Sequence, residues 1–332
     1  MTAITQRPAA AELLLSVQGL KTQFFTRKGV AKVLDGLSFD LYSGQIMGIV
    51  GETGSGKSVT AASILRILKK PGRVVAGEAW LGGRDLLALS EAQMQQVRGR
   101  EIAMIFQNPR GSLNPLLPVG ELLIQVLRHR AGLSAAAARA RAIELLGSVH
   151  IPDPEQRMHA YAHQLSGGMC QRIMIALAIS CNPRLLIADE PTTGLDVTIQ
   201  YQIIQLLKEL REQQGTTQIV ITHDLGLVAE LCDVVAVMYA GEIVEVAPVA
   251  EIFNSPRHPY TVGLLKSRPR LGEWEELPVI PGNVPDPLHP PAGCAFHPRC
   301  PYTMPQCLTV APAQRRVGEG HQVACWHEGV IV

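Results

Sequence analysis

The sequence lacks the features that would place it in a membrane or on nucleic acid. Its 30 Lys and Arg residues nearly balance 29 Asp and Glu residues, which gives a formal net charge of +1, and it has no long run of Lys or Arg. We therefore expect no nucleic-acid partner held by a basic face. No stretch reaches about 18 uninterrupted apolar residues, so we expect no membrane-spanning helix.

The first residues, "MTAITQRPAA", also lack the basic-then-apolar pattern of a secretory signal. We expect that none is present. The chain also has no internal repeat. Any association with a membrane is therefore expected to come through a partner.

What is present is the pattern of a parallel α/β sheet. The 332 residues are 47% hydrophobic, which is enough for one large domain plus an appendage, or for two modest domains. "PRLLIADEP" and "TQIVITHD" are continuous apolar runs of strand length with a helical segment between them. Alternating pieces in the first fifty residues predict a small sheet. The Pro, His, Gly and Cys content after about residue 257 predicts a loop-rich extension.

The segment "GETGSGKS" predicts a phosphate-binding loop. It has the GxxxxGK[ST] pattern and lies between an apolar strand, "IMGIV", and a helix. Its backbone N–H groups would surround phosphates, Lys57 would reach the β- and γ-phosphates, and the Ser58 hydroxyl would bind Mg²⁺. The predicted ATP ligands of this loop are Gly51, Glu52, Thr53, Gly54, Ser55, Gly56, Lys57 and Ser58.

Polar side chains follow three of the apolar runs. Asp189 and Glu190 end "LLIADE", at the strand end where α/β sheets bind ligands. Asp189 would hold Mg²⁺, and Glu190 would deprotonate water for attack on the γ-phosphate. Gln107 in "IFQNP" would sense both Mg²⁺ and the attacking water, and His223 in "VITHD" would hydrogen-bond the γ-phosphate. The predicted Mg²⁺ ligands are thus Ser58, Gln107 and Asp189.

A second anion-binding helix start occurs in "HQLSGGMCQRIMIALAIS", residues 163–180. A Ser-Gly-Gly corner that opens an apolar helix presents backbone N–H groups and the positive end of the helix dipole. The chain already has a phosphate loop more than a hundred residues earlier. This second corner is therefore expected to hold a different phosphate.

Six motifs, in the order "GETGSGKS", "FQNP", "LSGGMCQR", "LLIADEP", "GLD" and "ITHD", resemble the nucleotide-binding subunits of ABC transporters. The resemblance extends from about Leu13 to Val246. It implies an α/β fold of the P-loop NTPase (RecA-like) type with an antiparallel β subdomain and a helical signature subdomain at about 108–165. It also implies a nucleotide-binding domain over 1–256, followed by a loop-rich, Cys-containing extension over 257–332.

In that family two ATPase subunits stack head to tail, and each ATP lies between one phosphate loop and the partner's signature motif. The resemblance therefore implies that the second corner holds the γ-phosphate of the partner's ATP. The implied signature residues are Leu165, Ser166, Gly167 and Gly168. The sequence departs from the family at Met169, where Gln is commonest, but this position lies outside the Ser-Gly-Gly cradle, so hydrolysis is expected to survive.

The resemblance implies two further contacts of the nucleotide. Asp196 in "GLDVT" would lie in the loop that crosses the dimer interface. An aromatic residue upstream of the phosphate loop would stack on adenine, for which Phe24 is favoured over Phe25. Core packing explains one of these two phenylalanines equally well.

Cys294, Cys300, Cys307 and Cys325 crowd into the C-terminal segment, separated by five, six and seventeen residues. These gaps fit neither zinc knuckles nor the common ferredoxin spacing, so spacing alone leaves metal binding and structural or free thiols both open. "SPRHPYTVGLLKSRP" and "IPGNVPDP" resemble the extension of dipeptide, oligopeptide and nickel importer ATPases. Some of these carry a [4Fe–4S] cluster, which makes a cluster the favoured prediction and Zn²⁺ the second. The possible substitute ligands are His297, His321 and His327.

The resemblance implies an importer for dipeptides or short oligopeptides, with nickel complexes or other small solutes as alternatives. The implied partners are two transmembrane permease subunits, a second related ATPase and an extracytoplasmic solute-binding protein. "RGSLNPLLPVGELL" would dock the permeases at the cytoplasmic face of the inner membrane, with Pro115 and Pro118 stiffening that surface.

A soluble ABC-type ATPase acting on DNA or ribosomes is a further alternative, as is a small-molecule kinase. The chain lacks the heptad insertion of chromosome-maintenance ATPases, and a kinase has no use for a signature motif.

Overall fold

The computed structural model describes residues 12–267 and 278–327, which form two compact units. Residues 89–221 form the second unit, and the chain segments on either side of them form the first. The strands are β1 (Leu13–Thr26), β2 (Gly29–Tyr42), β3 (Ile46–Val50), β4 (Gly72–Leu81), β5 (Arg84–Asp85), β6 (Ile102–Ile105), β7 (Leu185–Asp189), β8 (Thr217–Ile221), β9 (Val234–Tyr239), β10 (Glu242–Pro248), β11 (Arg315–Gly318) and β12 (His321–Val323).

The helices are α1 (Lys57–Ile64), α2 (Glu91–Val97), α3 (Pro109–Ser112), α4 (Val119–Arg130), α5 (Ala135–Ser148), α6 (Pro154–Arg157), α7 (Gly167–Ile179), α8 (Val197–Gln214), α9 (Leu225–Leu231), α10 (Val249–Asn254) and α11 (Pro259–Lys266). Short 3₁₀ helices cover Ala162–Gln164, His297–Arg299 and Pro305–Leu308.

The first unit contains the small antiparallel sheet that the alternating N-terminal pattern predicts. Its strand order is β2-β1-β4-β5. Val17 and Leu20 on β1 are fully buried, as are Leu34 and Leu37 on β2, while polar neighbours such as Lys21 and Lys32 are exposed. The alternation thus gives the sheet one apolar face and one solvated face.

The first unit also contains strands in the order β11-β12-β10-β9-β3. β3 is parallel to β9, and the other pairs are antiparallel. All five residues of β3 are buried, as its continuous apolar sequence requires. The strands β11 and β12 belong to the predicted loop-rich extension, whose sequence does not predict strands.

The second unit contains the parallel strands β6, β7 and β8, in that order. Every residue of β7 and β8 is buried, which confirms the two apolar runs as covered strands. Helix α8 connects them, and its buried Ile203, Leu206, Leu207 and Leu210 have the spacing of a single helix face. The unit thus has the α/β arrangement that the sequence predicts.

Most of the predicted helical segment at 108–165 lies in α3 to α6 and a 3₁₀ turn. The predicted boundary between residues 256 and 257 stays a prediction. Over residues 12–267 and 278–327, no helix is both long enough and apolar enough to cross a membrane.

Candidate functional site

The phosphate-loop sequence joins the buried strand β3 to helix α1. Strand β3 ends at Val50, and α1 begins at Lys57 with Gly56 as its N-cap. Because glycine has no side chain, Gly56 leaves the first N–H groups of α1 without a side-chain cap. The N–H groups at a helix start, together with the positive end of the helix dipole, form an anion-binding site.

Two glycines of this loop are required by close backbone approaches. A Cβ atom on Gly51 would lie 2.2 Å from the backbone oxygen of Met238. Gly56 has φ 101°, and a Cβ there would lie 2.8 Å from a methyl carbon of Leu34. A Cβ on Gly51 would collide with the backbone of β9, whereas one on Gly56 would displace the Leu34 side chain and crowd the backbone oxygen of Val33 at 3.1 Å. The two glycines thus set the path of the loop.

Lys57 and Ser55 are the buried polar side chains of the loop. The Lys57 ammonium donates hydrogen bonds to the backbone oxygens of Gly51 (2.8 Å) and Glu52 (2.9 Å), so it lies folded onto the loop. The Ser55 hydroxyl is buried with no hydrogen-bond partner among the described residues. Thr53, Gly54 and Ser58 are exposed. A buried polar atom without a partner is costly, and an anion in the loop would reduce that cost.

Glu190 lies one residue beyond β7, in a left-handed conformation with φ 47°. Its Oε2 atom accepts hydrogen bonds from the Gln107 amide (2.8 Å) and from the Thr193 hydroxyl (2.9 Å). Two donors on one carboxylate oxygen fix the orientation of the side chain. Asp189, the last residue of β7, is 6% exposed. The structure thus brings together Gln107 and Glu190, two residues that the sequence predicts separately.

Thr193 is a residue that sequence reasoning missed. It lies in the turn "PTTGLD", where a threonine is ordinary turn composition. Its proximity to Glu190 follows from the turn itself, in which the Thr193 N–H donates to the Glu190 carbonyl at 3.2 Å. A polar residue three positions after a predicted base was the available signal.

His223 lies in the first unit, just after its chain resumes at Thr222. The Thr222 N–H donates to the backbone oxygen of Ile49 in β3 (3.2 Å), and the His223 side chain is exposed. Asp224 caps α9 by accepting hydrogen bonds from the N–H groups of Gly226 and Leu227. The segment is thus held at both ends, and its role toward a phosphate stays a prediction.

The signature segment forms the start of α7, as the Ser-Gly-Gly corner predicts. The Ser166 hydroxyl is the N-cap and accepts from the Met169 N–H at 3.2 Å. Gly168 is buried, and a Cβ there would lie 2.7 Å from a methyl carbon of Ile199 in α8. Arg110 donates to the Leu165 carbonyl at 3.0 Å, which positions the residue before the corner.

Asp196 is the N-cap of α8. Its carboxylate accepts a hydrogen bond from the Ile199 N–H at 3.0 Å. The next turn of α8 exposes two large side chains, Val197 (80%) and Tyr201 (55%). The predicted interface loop is therefore ordered by a cap and followed by exposed apolar surface.

Comparison with known proteins agrees with this arrangement. The profile described as ABC transporter matches residues 34–193, and the one described as oligopeptide/dipeptide transporter, C-terminal region, matches residues 244–307. The chain is 50% identical over 317 residues to an oligopeptide transport ATP-binding protein of Bacillus subtilis, covering 94% of this chain and 88% of that relative. It belongs to the ABC transporter ATP-binding family.

Other relatives cover nearly the whole chain. A dipeptide transport ATP-binding protein of Escherichia coli is 46% identical over 313 residues, covering 94% of this chain and 96% of that protein. A probable peptide ABC transporter ATP-binding protein of Sinorhizobium fredii is 49% identical over 325 residues and covers 97% of both chains.

Two solved structures share the fold. A dimeric ATP-binding cassette in a post-hydrolysis state, bound to ADP and phosphate, matches with TM-score 0.64 and 26% identity, over 71% of this chain and 99% of that one. The cbiO1 component of an ABC transporter complex from Clostridium perfringens matches with TM-score 0.62 and 27% identity, over 73% and 91%. The chain is accordingly an ABC-type ATPase, which uses ATP with Mg²⁺.

The two candidate adenine-stacking residues of this ABC ATPase differ in their surroundings. Phe24 is half-buried in β1, and its ring lies so close to Gly72 that a Cβ there would be 2.8 Å away. Phe25 is 45% exposed, with the Arg73 guanidinium 5.7 Å from its ring centre. Phe24 therefore has a packing role in β1, and its predicted contact with adenine stays a prediction.

The four C-terminal cysteines line one small cavity, together with His258, His297 and His327. All four are free thiols. Burial, together with the three neighbouring thiols, raises the pKa of the Cys294 thiol to about 11, although a hydrogen bond from the Phe296 backbone opposes the shift. Burial likewise raises the pKa of Cys300 and of Cys325. The thiols are thus neighbours in a poorly solvated space.

The expected metal centre is not supported by this geometry. In the part of the chain that the structure describes, no group of three or more His, Cys, Asp or Glu side chains could hold a metal ion. Zn²⁺ needs about four ligands within roughly 2.3 Å of one point, which argues against the zinc alternative. Among the possible substitutes, His321 donates to or accepts from Glu245 at 2.8 Å and does not line the cavity.

Proposed function

We propose that this chain is the ATP-hydrolysing subunit of an ABC importer that takes up dipeptides or short oligopeptides. The observation that carries the substrate class is the match of residues 244–307 to the C-terminal region of oligopeptide/dipeptide transporters. Relatives at 46–50% identity are named for oligopeptide, dipeptide or peptide transport. None of them is named for nickel, which makes a peptide substrate the better proposal.

In the proposed reaction the loop N–H groups and Lys57 would hold the ATP phosphates, and Ser58, Asp189 and Gln107 would hold Mg²⁺. Lys57 then exchanges its bonds to the loop carbonyls for the β- and γ-phosphates. When bound, Mg²⁺ would neutralise negative charge on the phosphate oxygens. The folded-back Lys57 and the unpartnered Ser55 hydroxyl support this role of the loop.

Glu190 is the proposed general base. Its carboxylate takes a proton from water as the water oxygen bonds to the γ-phosphorus and the bond from that phosphorus to the β–γ bridging oxygen breaks. The products are ADP and inorganic phosphate. Gln107 orients Glu190 and the water, and His223 donates a hydrogen bond to the γ-phosphate. The hydrogen bond from Gln107 to Glu190 supports this pairing.

The second anion corner is proposed to act on the ATP of a related ATPase subunit in a head-to-tail dimer. Ser166, Gly167 and Gly168 would present N–H groups to that γ-phosphate, and Leu165 would lead into the corner. Asp196 and the exposed apolar surface on α8 would lie at the subunit interface. The dimeric state of a structurally similar cassette with ADP and phosphate supports the dimer.

The proposed membrane partners are two permease subunits, working with an extracytoplasmic solute-binding protein. The segment at 110–123 is the proposed docking surface, on the cytoplasmic face of the membrane. Leu116 lies between Pro115 and Pro118 and is 81% exposed. An exposed leucine flanked by stiff prolines is suited to insert into a partner groove.

Affinity purification from detergent-solubilised membranes tests the assignment, followed by peptide uptake in vesicles that contain the recovered complex. Two polytopic membrane proteins and a second ATPase are expected, together with ATP-dependent uptake of a dipeptide. Uptake of Ni²⁺ complexes with no peptide uptake would reject peptides as the substrate and identify nickel complexes instead. Recovery only with ribosomes or nucleic acid would reject the importer.

The variant Glu190→Gln tests the reaction. It is expected to bind ATP and lower turnover by about 10²–10⁴-fold, the usual contribution of a general base. Full activity of this variant would reject Glu190 as the base. Loss of ATP binding would instead indicate that Glu190 contributes to the binding of ATP rather than only to its hydrolysis.

We also propose that Cys294, Cys300, Cys307 and Cys325 hold a [4Fe–4S] cluster. The proposal rests on four free thiols that line one cavity, because such clusters are held by four Cys thiolates. As the described side chains stand they form no metal-binding group, so the cluster would have to draw the four sulfurs together. The cluster would brace a loop-rich segment. No step of ATP hydrolysis depends on it.

Iron and acid-labile sulfide are to be measured in protein purified without oxygen. Near four of each per chain are expected, and Cys300→Ser should lower both. Cys181→Ser, a change at a cysteine outside the cavity, is the matched control. Iron below one per chain in wild type would reject the cluster, and zinc in its place would restore the zinc alternative.

A further inference from the structure

Glu52, the second residue of the phosphate loop, is bound by the C-terminal extension. Its backbone N–H donates to the Tyr260 hydroxyl at 2.8 Å, and both of its carboxylate oxygens accept from Arg299 Nη1 at 3.1 Å. Its carbonyl accepts from Lys57. Glu52 is therefore the point where the extension meets the proposed ATP-binding loop.

Several interactions hold the Arg299 side chain in place for this contact. Its side chain is only 5% exposed, and its other nitrogens donate to the backbone oxygens of Pro281 (2.8 Å) and Ile280 (3.3 Å). Its guanidinium lies 5.7 Å from the ring centre of Tyr239 in β9. A buried arginine held by carbonyls and a ring presents its remaining N–H groups in one fixed direction.

Tyr260 is fixed in a similar way. It is fully buried at the start of α11, with its ring 4.7 Å from that of Tyr239 and 5.4 Å from that of Phe296. Burial raises the pKa of its phenol, so the hydroxyl stays neutral at physiological pH. It accepts the Glu52 N–H, one of the loop donors that would otherwise be free.

The charge of Glu52 makes this contact relevant to ATP. A carboxylate in the phosphate loop lies beside the place where an anionic triphosphate binds, and like charges at short range oppose binding. The Glu52 side chain is 29% exposed, so solvent only partly screens it. Arg299 supplies the opposite charge at a distance that neutralises it.

We propose that Arg299 and Tyr260 are positioning residues of the ATP site, through which the C-terminal extension sets the affinity for ATP. Arg299 cancels the charge of Glu52, and Tyr260 fixes the backbone of the same residue. The inference rests on the proposed role of the phosphate loop in ATP binding. Neither residue contacts ATP itself.

The test is ATP hydrolysis by the purified transporter complex, with KM and kcat measured separately. Arg299→Ala is expected to raise the KM for ATP by about tenfold or more, because it leaves a charge unpaired, with little change in kcat. Tyr260→Phe should raise KM by a few-fold, since it removes one hydrogen bond and keeps the ring. Arg316→Gln, at an exposed arginine of the same extension, is the matched control and should equal wild type.

A double variant distinguishes charge neutralisation by Arg299 from a purely structural role of its side chain. If the unpaired carboxylate weakens ATP binding, Glu52→Gln combined with Arg299→Ala should restore KM toward the wild-type value. A double variant no better than Arg299→Ala alone would overturn the charge argument, as would an unchanged KM in the single variant. If Arg299→Ala does not fold, Arg299→Gln, which removes the charge and keeps a polar side chain, and Tyr260→Phe are compared with Arg316→Gln, and equal KM values in all three and wild type would overturn the inference.

Lys57→Ala separates this inference from the proposed function. If Lys57→Ala still binds ATP normally, the proposed role of the phosphate loop fails. If it loses ATP binding while Arg299→Ala keeps the wild-type KM, only the inference about the extension fails.

Discussion

Glu190 combines an unusual backbone conformation with a crowded carboxylate. A left-handed conformation costs a non-glycine residue about 1–2 kcal/mol, and Glu190 adopts it directly after a fully buried strand. The hydrogen bonds from Gln107 and Thr193 to Oε2 then fix the carboxylate. Residues under such strain are commonly found at functional sites, which agrees with the proposed general base.

Thr193→Val removes one of these hydrogen bonds and keeps the shape of the side chain. We expect kcat for ATP hydrolysis to fall about three- to tenfold, because a hydrogen bond of about 1 kcal/mol no longer orients the base. The KM for ATP should hold, since Thr193 is not a proposed phosphate ligand. The measurement is steady-state phosphate release, with Thr193→Ser, which keeps the hydroxyl, as the control. An unchanged kcat in the Val variant would show that Gln107 alone positions Glu190.

The sequence predicted which residues stand at the strand ends, but not how they pair. Asp189 and Glu190 follow from the apolar run before them, since the ends of buried strands are recognisable from composition alone. The bond from Gln107 to Glu190 depends on tertiary geometry. Arg299 was missed because its partner, Glu52, is 247 positions away, and no local pattern encodes such a distance.

At the scale of the element, helix α7 begins where its sequence predicts and packs more tightly than a sequence can show. Ser166 caps the helix, and the buried Gly168 lets α8 approach through Ile199. The neighbouring Gly167 has its nearest possible Cβ contact at 3.6 Å, an ordinary van der Waals distance to Leu195. Of these two adjacent glycines, Gly168 is therefore required by the packing of α7 against α8, whereas Gly167 is not.

Gly168→Ala is expected to lower the free energy of unfolding by about 1–3 kcal/mol, because its Cβ would overlap Ile199 and force α7 from α8. Gly167→Ala is the matched control and should be neutral or slightly stabilising, since alanine favours helix over glycine. Urea denaturation of the full chain measures both. Equal stability of the two variants would mean that the Ile199 side chain moves aside without lowering the free energy of unfolding.

The elements differ in how far the sequence could predict them. The strands β7 and β8 were recognisable because they are covered on both faces and therefore continuously apolar. The strands β11 and β12 are only four and three residues long, and their sequences "RRVG" and "HQV" are largely polar. They form by pairing next to β10, an influence that lies outside their own sequence.

At the scale of the whole molecule, one carboxyl couples stability to pH. Burial, helped by the charge of Asp35, raises the pKa of Glu242 to about 7, while Lys21 opposes the shift. The folded chain therefore holds a proton there between about pH 4.5 and 7 that the unfolded chain releases. The contribution of this group to the free energy of unfolding is fully present below about pH 4.5 and is lost as the pH rises through 7.

Glu242→Gln removes this titration. We expect the variant to be more stable than wild type at pH 8, by about 1–3 kcal/mol, with the difference shrinking toward pH 5. Thermal unfolding at several pH values measures it, and Glu319→Gln, at an exposed position in the β11–β12 turn, is the control. A variant that is less stable than wild type at pH 8 would mean that Glu242 is held ionised by the folded chain.

The division of the first unit into two chain segments has a consequence for synthesis on the ribosome. Strand β3 precedes the phosphate loop, but its parallel partner β9 is translated only after all of residues 89–221. At about 5–20 residues per second, those residues alone take on the order of ten seconds. During that interval the apolar β3 and the glycine-rich loop after it have left the ribosome without β9. The nascent chain should therefore be a client for holding chaperones at this stage, and acquire its nucleotide loop late in translation.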